Sequence, residues 1–178
     1  MLLAVVLATI GTVVGVGVPA QAATTTVCAN LGVPAGFYIT NIEQAPAGCG
    51  YFAKYTVTTD LYDGMSICAQ SLVPAGWVVT HAQSMANCAN ANRNTITSRL
   101  SNGMAVCSTA PLPTGWVATN AQEVPSCGGK NRLLITSSLY SGMSVCVEWG
   151  IPPGWYLASA QAYQPNCWYT TRGTIKPA

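Results

Sequence analysis

Charge is what this chain has least of. Seven basic and five acidic residues among 178 leave a formal net charge of +2, and histidine occurs once, at His81. So slight a balance supplies no basic face for a phosphate backbone, and nucleic acid is not expected as a partner. Disorder is not expected either. Disordered segments combine high charge with few aromatics, whereas this chain holds five Trp, eight Tyr and two Phe. Catalytic patterns are missing too: there is no Gly-x-Ser-x-Gly, His-Glu-x-x-His, phosphate-binding glycine loop or calcium loop. The carboxylates Glu43, Asp60, Asp63, Glu123 and Glu148 form no recurring pair of the kind glycosidases use. No two cysteines stand closer than 19 residues, which argues against zinc, whose sites carry tight Cys or His pairs. These absences predict a protein without enzyme activity, cofactor or metal. Helical periodicity is also lacking beyond residue 22, where Gly and Pro interrupt every long window.

One long apolar run is present, at the start. Leu2 to Val18 is uncharged and ends at Pro19-Ala20-Gln21-Ala22, whose small residues fit a signal-peptidase site with cleavage after Ala22. The departure from the usual leader is that no Lys or Arg follows Met1. The competing reading is a retained membrane anchor at the lower edge of spanning length; no later segment is apolar enough to span. All eight cysteines follow the leader, and an even count at regular spacing behind a secretory signal predicts a disulfide framework in an exported protein, extracellular or periplasmic.

Those cysteines belong to a pattern that occurs four times. The copies read Cys28/Pro34/Gly36/Phe37/Cys49, Cys68/Pro74/Gly76/Trp77/Cys88, Cys107/Pro113/Gly115/Trp116/Cys127 and Cys146/Pro152/Gly154/Trp155/Cys167. Successive first cysteines are 40, 39 and 39 residues apart, a period that marks a repeat architecture. The expected fold is all-β: four tandem units, approximately 25–64, 65–103, 104–142 and 143–178, each of about three strands stapled by one disulfide. Asp63-Gly64, Asn102-Gly103 and Ser141-Gly142 read as hairpin turns joining the last strand of one unit to the first of the next. On that reading Thr25–Cys28 and Gly173–Lys176 are unpartnered and could close the chain into a ring; an open row is the alternative. The same hairpin would place Cys107 opposite Ser98 and favours pairing within units: Cys28–Cys49, Cys68–Cys88, Cys107–Cys127 and Cys146–Cys167.

Four groups of residues are candidates for a role. The aromatic after each Pro-x-Gly reads as a core plug beside the disulfide, because it recurs in every copy. Unit four breaks the repeat with Trp149 and Trp168, and adds Tyr156 and Tyr169; with Trp155 these could form a ligand-binding platform, or cap the end of the row. A cation recurs five residues after each second cysteine (Lys54, Arg93, Arg132, Arg172), read as stems covering apolar surface or as an anion-binding face. Gln44, Gln83, Gln122 and Gln161 also recur, as amides expected to bond loop backbone. Together these features predict an exported, non-catalytic binding module for a glycan or cell-envelope polymer. The alternatives are a self-associating structural protein and, with less support, a secreted inhibitor or toxin.

Overall fold

The computed structural model describes residues 23–44 and 46–178; the leader expected over residues 1–22 lies outside them. Among the described residues twelve strands form four units. Unit one holds β1 (Thr24–Cys28), β2 (Tyr38–Glu43) and β3 (Lys54–Thr58), and unit two β4 (Ser66–Cys68), β5 (Val78–Ser84) and β6 (Asn92–Thr97). Unit three holds β7 (Met104–Cys107), β8 (Val117–Glu123) and β9 (Asn131–Thr136), and unit four β10 (Met143–Cys146), β11 (Trp155–Gln164) and β12 (Thr170–Pro177). In every unit the third strand runs between the first and second, antiparallel to both. Pairing of Val79 with Cys107 merges units two and three into one six-stranded sheet, while units one and four keep three-stranded sheets. Two short 3-10 turns, Ala29–Leu31 and Val147–Trp149, depart from the expectation of no helix. Each closes at a glycine with positive φ (Gly32 at 75°, Gly150 at 97°), which L side chains adopt only under strain.

The expected hairpins do not form. β3 and β4 lie in different sheets, and β6 and β7 are separated by β5. The Asp63-Gly64 turn instead hooks onto the end of β6: Gly64 N–H donates to the Ile96 carbonyl at 2.9 Å, and Asp63 Oδ1 accepts from Thr97 Oγ1 and Ser98 N–H at 2.7 Å each. Asn102 repeats this on Thr136 and Ser137, at 2.9 and 2.8 Å. Thr97 Oγ1 also accepts the Arg99 N–H, so β6 stops at Thr97, short of Leu100. β1 and β12, expected to be unpartnered, each pair within their own unit. Cys107 lies opposite Arg132, not Ser98, so the hairpin argument for the disulfides fails. The pairing it favoured is nevertheless the one formed, four bridges within units.

The core is built from one unit and the cystine of the next. Ile39, Ile42 and Val57 of unit one cluster with Cys68 and Cys88 of unit two. Ile67, Val79, Ala82 and Ile96 of unit two cluster with Cys107 and Cys127. Ala118, Ala121, Leu133 and Ile135 of unit three cluster with Cys146 and Cys167. One main-chain bond fixes each junction: Ile42, Ala82 and Ala121 N–H donate to the carbonyls of Asn87, Ser126 and Asn166, at 2.8, 2.8 and 2.9 Å. The aromatics Phe37, Trp77 and Trp116 pack into these three clusters. They therefore sit beside the following unit's cystine rather than their own.

Two predictions follow from this packing. Bridges Cys28–Cys49 and Cys107–Cys127 span 21 and 20 residues, so loop entropy gives each about 3 kcal/mol. Cys107 and Cys127 are buried in the core of unit two, whereas Cys28 and Cys49 are half-exposed. Replacing the buried pair by Ala is expected to cost about 1 kcal/mol or more beyond replacing the exposed pair. Denaturant midpoints compare the two, and equal losses would contradict the shared core. The second concerns Asp63, whose carboxyl is held at about 2, chiefly by the Thr97 hydroxyl and then the Ser98 N–H. A folded value below the ordinary 3.8 means a contribution present above pH 3.8 and lost as pH falls through about 2. Asp63→Asn, which reproduces Asn102, is expected to keep the turn but flatten the pH dependence of stability across that window.

Candidate functional site

The aromatic residues of unit four do not form one platform. Trp155 is half-buried against Val117, Met143, Val145 and Ile175, as the equivalent aromatics are in the other units. Tyr156, 49% exposed, points outward from β11. Tyr169 is exposed beside Trp168 but outside the groove. Trp149 and Trp168 do come together. They line a groove of about 300 Å³ with Ser108, Lys130, Asn131, Glu148 and Thr170, at the boundary of units three and four.

Each wall of this groove has a local cause. Trp149 ends the 3-10 turn that follows Cys146, which tips its ring onto the unit-three core while leaving it half-exposed. Trp168 follows Cys167 in the tight turn whose N–H groups fold back onto Gln164 and Pro165. Ser108 and Asn131 come from unit three, joined by the 2.8 Å bond from Ser108 N–H to the Asn131 carbonyl. A second groove of about 490 Å³ also borders Trp149, lined by Thr109-Ala110-Pro111-Leu112 and Glu148. Trp149, Ser108 and Glu148 are common to both grooves, so the two hollows adjoin at the indole.

Backbone strain marks the same place. The turn after each second cysteine demands left-handed residues: Gly50, then Ala89 and Asn90, then Gly128 and Gly129. In unit four the positions are filled by Trp168 (φ 50°) and Tyr169 (φ 59°). Bulky residues held there cost about 1–2 kcal/mol each relative to glycine's free choice. An aromatic side chain retained at a position that favours glycine is an outlier of the kind that collects at ligand sites. An amphipathic indole over a rim of hydroxyl, amide, ammonium and carboxylate groups presents a flat apolar face with hydrogen-bonding groups around it.

The recurring cations are not part of this site. Each stands directly opposite the first cysteine of its unit, in the register Cys28–Lys54, Cys68–Arg93, Cys107–Arg132 and Cys146–Arg172. Lys54 pairs with Glu43 at 2.6 Å, and Arg172 donates to Ser144 Oγ at 2.9 Å and to the Thr119 carbonyl at 3.4 Å. Arg93 has its Nε buried and without a hydrogen-bond partner among the described residues. Gln83 bonds the His81 ring at 3.0 Å and the Met85 sulfur at 3.2 Å, not loop backbone as expected. Sequence reasoning passed over Lys130 and Asn131. Lys130 is one of the few cations outside the repeat, and that singularity was the signal available. Among the described residues no cluster of three His, Cys, Asp or Glu could hold a metal ion, and no helix is long and apolar enough to cross a membrane.

Comparison with protein-family models, with curated proteins and with solved structures finds no match to this chain. The groove therefore stands on its geometry alone. Trp168→Gly tests the strain directly: thermal unfolding is expected to show no loss of stability and a gain of up to about 1 kcal/mol. A clear destabilisation would mean that the ring is held there for packing.

Proposed function

We propose that this is an exported, non-catalytic binding protein whose ligand is a glycan or a cell-envelope polymer, taken at the Trp149–Trp168 groove. The observation that carries the reading is the pairing of these two indoles in one polar-rimmed groove, one of them held in a strained left-handed turn. A sugar ring has an apolar face of C–H groups and an equator of hydroxyls. It stacks on an indole while its hydroxyls bond groups such as Ser108, Lys130, Asn131 and Glu148. The adjoining hollow at Trp149 suits a second residue of a polymer, since the same ring lines both. Export is supported by the leader and by four disulfides, which persist in oxidising compartments.

Binding to a glycan array, followed by titration calorimetry on the best oligosaccharide, tests the reading. Trp149→Ala and Trp168→Ala are each expected to weaken binding by about tenfold or more, equivalent to about 1.4 kcal/mol. Tyr156→Ala, on a different face, should leave it unchanged. An array with no saccharide bound, or tryptophan variants that bind like the parent, would sink the proposal.

A further inference from the structure

The junction that occurs three times inside the chain leaves two complementary halves at its ends. Within the chain, the second strand of one unit offers three positions to the next unit. They are Tyr38, Ile39 and Ile42 on β2, Val78, Val79 and Ala82 on β5, and Val117, Ala118 and Ala121 on β8. The last two sets are 0–2% exposed. The corresponding residues of β11 are Tyr156 (49%), Leu157 (36%) and an exposed Ala160. At the other end the receiving surface is equally uncovered. Cys68, Cys88, Cys107, Cys127, Cys146 and Cys167 are at most 2% exposed, whereas Cys28 and Cys49 are half-exposed and Thr24–Thr26 are exposed.

We infer that β11 of one copy docks on β1 and the Cys28–Cys49 bridge of a second copy, repeating the internal junction head to tail. Position by position the halves match. Leu157 and Ala160 meet the cystine as Ala118 and Ala121 meet Cys146–Cys167. Tyr156 packs on Val27 and Thr25 as Val117 packs on Val145 and Met143. Ala160 pairs with Gly173 as Ala121 pairs with Leu133, so its N–H points outward and faces the Gly48 carbonyl, the counterpart of Asn166. Leu157 leans on Gly173, where Ala118 and Leu133 share one core cluster, so the two pairs of side chains differ by a single methylene. The two surfaces are different patches, so the contact is heterologous and does not close on a dimer.

The internal junctions are helped by their tether, worth about millimolar local concentration, so association between chains is expected in the upper part of a roughly 10 μM to 1 mM range. Sedimentation of the full, oxidised chain over that range is expected to show a weight-average mass that at least doubles and reaches no plateau at the dimer. Ala160→Arg and Thr25→Arg substitute exposed residues, one on each half, and each should hold the chain at monomer mass with its four disulfides intact. Mixed in equal amounts, the two variants should give dimer and nothing larger, because one good pair of faces remains. A parent chain that stays monomeric throughout, as it would if its own ends met or the leader covered β1, overturns the inference. So does a parent chain that stops at the dimer, a variant that associates like the parent, or a mixture of the two variants that stays monomeric.

Discussion

Everything in this molecule hangs on a cystine seated against someone else's sheet. Units of about 40 residues cannot bury an adequate core unaided. Here the bridge that closes each unit after the first also serves as a side chain in the core of the unit before it. A disulfide suits both tasks, because it is compact, apolar and fixed in place by two backbones at once. The Pro-x-Gly aromatic completes the same seat from the side, and the bond from Ile42, Ala82 or Ala121 sets its depth. Sheet hydrogen bonds organise each unit internally; the cystine contact, with the main-chain bonds beside it, makes four units into one row.

Against that regularity, unit four is informative where it departs. Trp155 keeps to the repeat and is core. Trp149 and Trp168 depart from it and meet in a groove. Repetition removes the scaffold's share of the explanation, so residues without counterparts are the ones that need another cause. Trp168 satisfies this twice, since its side chain is unmatched and its backbone angle is one the other units give to Gly or Ala. The groove also sits at a junction between units, where two loops and two edges converge.

The repeat, the three strands per unit and a framework of disulfides were legible in the chain, because cysteine spacing and period-two alternation are local signals; which cysteines pair was named correctly, but from a hairpin that does not form. Strand order was not. Asn102-Gly103 has the chemistry of a tight hairpin, yet its side chain caps β9 and its glycine bonds Ile135 across the sheet. Turn chemistry specifies a bend in the backbone, and what lies on either side of it is decided by burial. The same gap hid the role of the cations, whose place opposite the first cysteine emerges only with the register. At the groove the two indoles were visible as breaks in the pattern, and Lys130 as a cation outside the repeat, but Ser108 and Asn131 come from the neighbouring unit and carry no mark of their own.

The half-exposed bridge at the first unit gives the molecule a direction of attack. A reductant in solution can approach Cys28–Cys49, while the other three cystines are covered by the unit before them. Each later cystine is shielded by its predecessor's sheet, so protection passes down the row like a lock whose key is held one room earlier. Loss of the first bridge loosens β1 and β3, and with them the wall over Cys68–Cys88. Reductive unravelling of this protein is thus expected to have a starting end and an order, from the amino-terminal unit towards the one that carries the groove.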